Sequence, residues 1–338
     1  MTAPGHAPVS GVLGGGVLKV DDYAAFLAEH YLADYLPGGG ASVKVAVIGS
    51  AGAADRFEAA FGAAAATGGC VHVSLAAETT KLHMVDQLFF AVSRHVDWDQ
   101  LAATLVRQAF EAASFPAPDG STLRAAAVAE HHDVDPRELY RSVRRQLEQR
   151  LLGDLELAPE MRRAVFRLAQ AELRAGDVDR AEHEAVLAWL RGELRSVSAV
   201  RPALIYTRIG RHNARDMLSS LSRLLLTTGH AGLVLHLDYT RLAEARRPPI
   251  DERIGIYYSK AATLDAYEVL RQLIDATDEL RGLLAVAVVP PDLMTDESRG
   301  LPAYTALQLR VADEVRDRRR ANPYAALVRL EVRLEAVS

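Results

Sequence analysis

Residues 44–57 read Lys44-Val45-Ala46-Val47-Ile48-Gly49-Ser50-Ala51-Gly52-Ala53-Ala54-Asp55-Arg56-Phe57, and their reading decides the fold. The segment 44–48 has the apolar, β-branched character of a buried strand. It runs into a glycine-containing stretch and then into a helix-favouring one, which is where a phosphate-binding loop turns into its helix. A working loop of that kind reads Gly, four residues, then Gly-Lys-Ser/Thr. Its backbone amides cradle phosphates, its lysine reaches the β- and γ-phosphates, and its hydroxyl holds magnesium. Here Gly49 occupies the first position, followed by Ser50 and Gly52, but Ala54 replaces the second glycine, Asp55 the lysine and Arg56 the hydroxyl residue. An anion in place of a cation beside a triphosphate turns attraction into repulsion.

Working outward, residues 20–35 carry Tyr23, Phe26, Leu27, Tyr31 and Leu32 at helical spacing, and Pro37 and three glycines then break the helix. Residues 53–67 form an alanine-rich helix ended by Thr67-Gly68-Gly69, and a second strand follows at 71–75. Strand, loop, helix and strand in this order are what a parallel α/β sheet requires. Residues 84–190 read as helices near 86–94, 98–113, 136–150, 159–175 and 178–192. Sheet character returns at 232–237 and 283–289, with a helix at 264–276 between them, another at 304–318 and a last strand at 325–332. The predicted organisation is a flexible N-terminus at 1–19, the first part of an α/β core at 20–83, a helical insertion at 84–195, and the remainder of the core with a C-terminal helical segment at 196–338.

A second nucleotide-site pattern lies at 232–238, where Gly-Leu-Val-Leu-His-Leu ends in Asp238. An apolar strand closed by an acid is the magnesium-orienting element of many nucleoside triphosphatases. The next residue is Tyr239, which cannot act as a carboxylate base at neutral pH. Asp238 is a metal ligand only if magnesium binds.

Composition narrows the class. The chain has 338 residues, enough for a sizeable core, and a net charge of −5 gives no global footprint for nucleic acid. Cys70 is the single cysteine, which excludes an internal disulfide framework and a cysteine-rich zinc site. No apolar run approaches the roughly 20 residues of a membrane span, and residues 1–16 lack the organisation of a signal peptide. The expected location is cytoplasmic.

The chain resembles the ATP-binding proteins of the bacteriophage exclusion (BREX) system, an AAA+-like family. The resemblance rests on residues 209–218 (Ile209 to Leu218), 229–238, 267–277 and 299–310, together with the approach to the loop at 31–40. It spans roughly residues 20–332 and implies a P-loop nucleoside triphosphatase (AAA+-like) core with a parallel sheet and a large helical insertion. Members of that family usually carry Gly-Ser-Gly-Lys-Thr at positions 52–56 and an Asp-Glu pair at 238–239. Two catalytic elements thus depart from the pattern. The resemblance taken together with these departures points to a non-catalytic subunit of a phage-defence system, with no cofactor of its own and a protein partner, either an active ATPase paralogue or another subunit. By the same resemblance Arg310 is a candidate arginine for a neighbour's phosphates, with an ordinary ion pair as the alternative.

Two other functions stay open at this level. One is an ATPase with an atypical site, in which Arg56 replaces the phosphate lysine and Asp238, with Ser50 nearby, holds ATP-bound magnesium. The other is a nucleic-acid-binding accessory module using the basic run Arg316–Arg320. The polar cluster Arg211, His212, Asn213 and Arg215 reads as capping and surface chemistry. His131-His132-Asp133 reads as a polar loop, since adjacent residues point apart and no fourth ligand is identifiable. His72 and His236 read as satisfied core histidines.

Overall fold

The computed structural model describes residues 16–173, 179–247, 249, 251, 254–312 and 321–332. The basic run 316–320 lies outside the described residues. The chain divides into two compact units, one of residues 1–84 and 231–338 and one of residues 85–230.

The first unit is built on a six-stranded, wholly parallel sheet: β1 (Leu18–Lys19), β2 (Ala41–Ile48), β3 (Val71–Ala76), β4 (Leu233–Asp238), β5 (Leu283–Val289) and β6 (Leu327–Glu331). Their order across the sheet is β1-β6-β2-β5-β4-β3. Every residue of β5 is buried and β2 is nearly so, because helices cover both faces of a parallel sheet and its strands read as continuous apolar runs. Helices α1 (Val20–Leu27) and α2 (Ala51–Thr67) belong to this unit. Phe57 and Phe61 of α2 stack 5.4 Å apart in a core that takes Ala46 and Ile48 from β2, Val234 from β4 and Val286 and Val288 from β5.

Lys44 sits in the same strand yet is 3% exposed. Its ammonium donates to the Ala325 carbonyl at 3.2 Å and lies 5.0 Å from the centre of the Tyr31 ring. A buried ammonium needs such partners, and these tie β2 to the segment that leads into β6.

The second unit is helical: α3 (Val85–Ser93), α4 (Trp98–Ala112), α5 (Ala125–His132), α6 (Pro136–Leu147), α7 (Pro159–Leu173), α8 (Arg180–Leu190) and α9 (Ala214–Thr227). Helix α4 packs on α6 and α7, and α3 packs on α9. Arg167 of α7 grips Glu182 of α8 through two bonds of 2.6 and 2.8 Å. With Glu182 only 9% exposed, the carboxylate depends on that paired geometry. The chain then returns to the first unit through β4, α10 (Lys260–Asp275), β5, α11 (Asp292–Thr295), α12 (Thr305–Val311) and β6.

Four sequence expectations change. The helical unit runs to His230 rather than residue 195, since α9 belongs with the helices it packs against. Residues 18–19 are not loose but pair with Leu330 and Glu331 at the sheet edge. His131 and His132 are the last turn of α5, not a loop, and Asp133 ends that helix in the left-handed conformation with φ 55°. His236 is only half satisfied: its Nδ1 lies 3.0 Å from Ser74 Oγ, but Nε2 has no hydrogen-bond partner among the described residues.

Candidate functional site

In an open α/β sheet, ligands bind beyond the carboxyl ends of the strands, at the point where neighbouring strands send their connections in opposite directions. Here β2 leads through α2 to β3 at one edge, whereas β5 leads to β6 on the far side of β2. The switch point therefore lies between β2 and β5. A crevice of about 500 Å³ opens there, lined by Gly49, Ser50 and Ala53 from the β2–α2 turn, Pro291 and Asp292 after β5, and Arg329 and Glu331 of β6.

The β2–α2 turn is very short. The strand ends at Ile48 and the helix begins at Ala51, so only Gly49 and Ser50 lie between them. Ser50 is extended (φ −140°, ψ 147°) and caps the helix, its Oγ accepting from Ala53 N at 3.3 Å. Ala54 N bonds back to the Ser50 carbonyl at 3.0 Å. Gly52, Ala54, Asp55 and Arg56 are thus residues of the first turns of α2, and the amides of Asp55 and Arg56 lie within the helix rather than in a loop. A cradle needs several consecutive amides held off the helix.

The glycines agree with this geometry. A Cβ on Gly52 would meet nothing within 4 Å, and one on Gly49 would make ordinary contact with Pro291 Cγ at 3.6 Å. Neither has a positive φ among those recorded for the chain, so neither position requires glycine.

Charges around the crevice nearly cancel. Arg329, Asp292 and Glu331 line it together, and Glu331 is paired with Lys19 of β1. Asp55 and Arg56 are exposed, and the Arg56 guanidinium is taken by Asp21 of α1 through bonds of 2.6 and 2.8 Å. That partner holds the Asp21 carboxyl below its ordinary range.

Asp238 ends β4, one strand removed from β2. It lies in register with Val288 of β5, which lies in register with Ala46 of β2. Two strand spacings of about 4.8 Å separate it from β2, and Ala46 precedes Gly49 by three residues. The Asp238 carboxylate accepts from Thr240 N at 2.8 Å, closing a local turn. Tyr239 is 1% exposed beside Tyr258 and Tyr267. Burial first, then these two phenols, pushes its own phenol upward, and its hydroxyl has no hydrogen-bond partner among the described residues.

Arg310 lies on α12 and pairs with Asp275 of α10. Asp275 is shared with Arg271, and Arg271 also grips Glu268, which accepts from the Tyr304 hydroxyl. The Arg271 bonds, with those from Tyr304 and Gln272, pull the Glu268 carboxyl down to about 2. In this conformation Arg310 is engaged within its own chain.

Two of the remaining candidates make local contacts. Asn213 holds a turn before α9, accepting from Gly210 N at 2.9 Å. His132 meets the Pro116 carbonyl at 2.9 Å, and among the described residues no group of three or more His, Cys, Asp or Glu could hold a metal. No helix among them is long and apolar enough to cross a membrane.

Sequence reasoning missed three residues that position this edge of the sheet. Asp21 is one, and a charged residue in the first turn of a helix gives no hint of a partner 35 residues away. Lys44 is another; a lysine inside a strand of valines was the available signal. The third is Arg299, 5% exposed, which donates to the Leu242 and Tyr258 carbonyls at 3.3 and 2.7 Å and ties the β4 exit to the start of α10.

Comparison with curated proteins and with solved structures returned no match. The model of one protein family, the BREX system ATP-binding protein BrxC/D, matches residues 121–336. That stretch takes in Asp238, Tyr239 and Arg310 and begins after the β2–α2 turn. With more than half of its residues matched, the chain belongs to the BREX system ATP-binding protein BrxC/D family.

Proposed function

We propose that this chain is a phage-defence component that keeps an AAA+-like core as a binding platform and does not hydrolyse ATP. One observation carries the reading: α2 starts two residues after β2, so the backbone that would wrap a phosphate chain is spent on helix. Loss of the lysine and the hydroxyl residue could be offset by other side chains. Loss of the loop itself removes the donors that all such sites share.

The surrounding sheet supports descent from a nucleotide-binding core. The β2 turn and the acid of β4 face the same carboxyl edge with β5 between them, and the crevice at the switch point is retained. Parallel strands and their covering helices owe their stability to apolar burial, which survives when loop chemistry is lost. In this reading the chain acts through protein partners, an active relative or another subunit of the same system.

The test is titration of the purified chain with ATP and magnesium, alongside phosphate release, with Asp238→Ala as the control. The expected outcome is no release above background and no magnesium-dependent binding that the control removes. Magnesium-dependent binding lost in Asp238→Ala, together with phosphate release, would overturn the proposal and establish an ATPase with an atypical site.

A further inference from the structure

The same carboxyl edge of the sheet carries a second cavity, of about 430 Å³, beyond β3 and β4. Its lining differs in kind from that of the switch-point crevice. Lys81, from the loop after β3, and Arg241 and Arg247, from the segment after β4, contribute three cations, and among the described residues no carboxylate lines it. Arg241 is committed to the framework, bonding Glu244 and the carbonyls of Ile254 and Ile256. Lys81 and Arg247 are exposed and form no ion pair among the described residues.

Two further features favour an anion with an attached ring. Ser259 and Ala262 bring the N-terminal turn of α10, a helix of 16 residues with no acid in its first turn; the Ala262 amide is taken by Ser259 Oγ at 3.2 Å, so the turn offers its dipole rather than that donor. The positive end of its dipole and the two free cations favour the same sign of charge. Tyr257, Ile254 and Ile256 line the rest, a flat aromatic and apolar surface of the kind on which a base stacks. The cavity volume is within the range of small-ligand sites.

We propose that this cavity binds a nucleoside phosphate, with the phosphate between Lys81, Arg247 and the start of α10 and the base against Tyr257. The ligand is a free nucleotide or the end of a nucleic-acid strand; both present the same group. The site is separate from the switch-point crevice, and its occupancy does not depend on the reading of the chain as non-hydrolytic.

The full chain is titrated with ATP in the absence of magnesium and, separately, with a fluorescent single-stranded oligonucleotide carrying a 5′-phosphate. Binding of either probe, weakened at least about tenfold by Lys81→Gln with Arg247→Gln and unchanged by Asp238→Ala, supports the proposal. Each single substitution is expected to lower the salt dependence of oligonucleotide binding by about one ion. The tighter probe identifies the source of the phosphate. Because both residues are exposed, circular dichroism of the variants should match the parent. No binding of either probe at millimolar concentration overturns the proposal, as does binding indifferent to the two substitutions. Binding abolished by Asp238→Ala and spared by the other pair overturns it equally, while also counting against the proposed function.

Discussion

The guanidinium of Arg56 lies across the carboxylate of Asp21, Nε to Oδ1 at 2.8 Å and Nη2 to Oδ2 at 2.6 Å. Arg56, which the family resemblance aligns with the magnesium-ligand hydroxyl of a phosphate loop, is thus half of a clasp between α2 and α1. Both side chains are about half exposed, so the pair is worth little in stability.

Replacing Arg56 by Ala, or Asp21 by Asn, should leave any nucleotide binding unchanged and lower stability only slightly. The pH dependence has a definite sign. Asp21 has a depressed carboxyl pKa in the folded chain, so its contribution is present above the unfolded value near 4 and is lost as pH falls through the folded one. Stability of the parent and of Asp21→Asn should therefore differ by a constant amount from pH 5 to 8 and converge in acid. A difference that fails to shrink as pH falls below about 4 would count against the pairing.

Gly52 makes a sharper test of the turn. As a helical residue with open space where a Cβ would go, it should accept alanine with a gain of about 0.5–1 kcal/mol. Urea denaturation of Gly52→Ala measures this. A loss of stability would mean that the backbone there requires glycine, as a cradle would.

Restoring the missing residues should not restore the chemistry. The triple substitution Ala54→Gly, Asp55→Lys and Arg56→Thr supplies the phosphate-loop side chains on an α2 that already begins at Ala51. Phosphate release should stay at background, and the new glycine should cost about 1 kcal/mol of stability. Robust hydrolysis by this variant would show that the turn can open into a loop.

His236 predicts acid sensitivity. It is 2% exposed, its Nε2 is unpaired, and burial lowers its pKa, against smaller opposing effects of Glu58 and Asp238. A base with a depressed pKa in the folded state contributes stability above its unfolded value near 6.5, and this is lost as pH falls toward the folded one. The chain should lose stability as pH falls below about 6.5, and His236→Phe should flatten that slope. An unchanged slope in the variant would assign the effect to other groups.

Much of the sheet was legible because its chemistry is local and repetitive. Runs of valine, leucine and isoleucine at 43–48, 233–237 and 283–289 can only be central parallel strands when helices separate them. Legibility failed where a residue's role depends on a distant partner. Asp21, Arg299 and Asp275 look like ordinary surface residues until α1, the β4 exit and α12 are brought alongside them. The site was legible as an alignment of residue types, and its shape was not.

The sequence by itself determined that this chain forms a parallel α/β core interrupted by helices, and it puts Asp55, Arg56 and Tyr239 where the family resemblance leads one to expect a lysine, a hydroxyl and a carboxylate. Residue identity and apolar period are enough for that. Only the tertiary structure decided where α2 begins, that Arg56 is held by Asp21, and that Tyr239 is buried while the free cations gather beyond β3 and β4. The reason is physical. A run such as Ser50-Ala51-Gly52-Ala53-Ala54 has enough freedom for either loop or helix, and the choice falls to the capping hydroxyl of Ser50 and to the apolar face of Phe57 and Phe61 docking on the sheet.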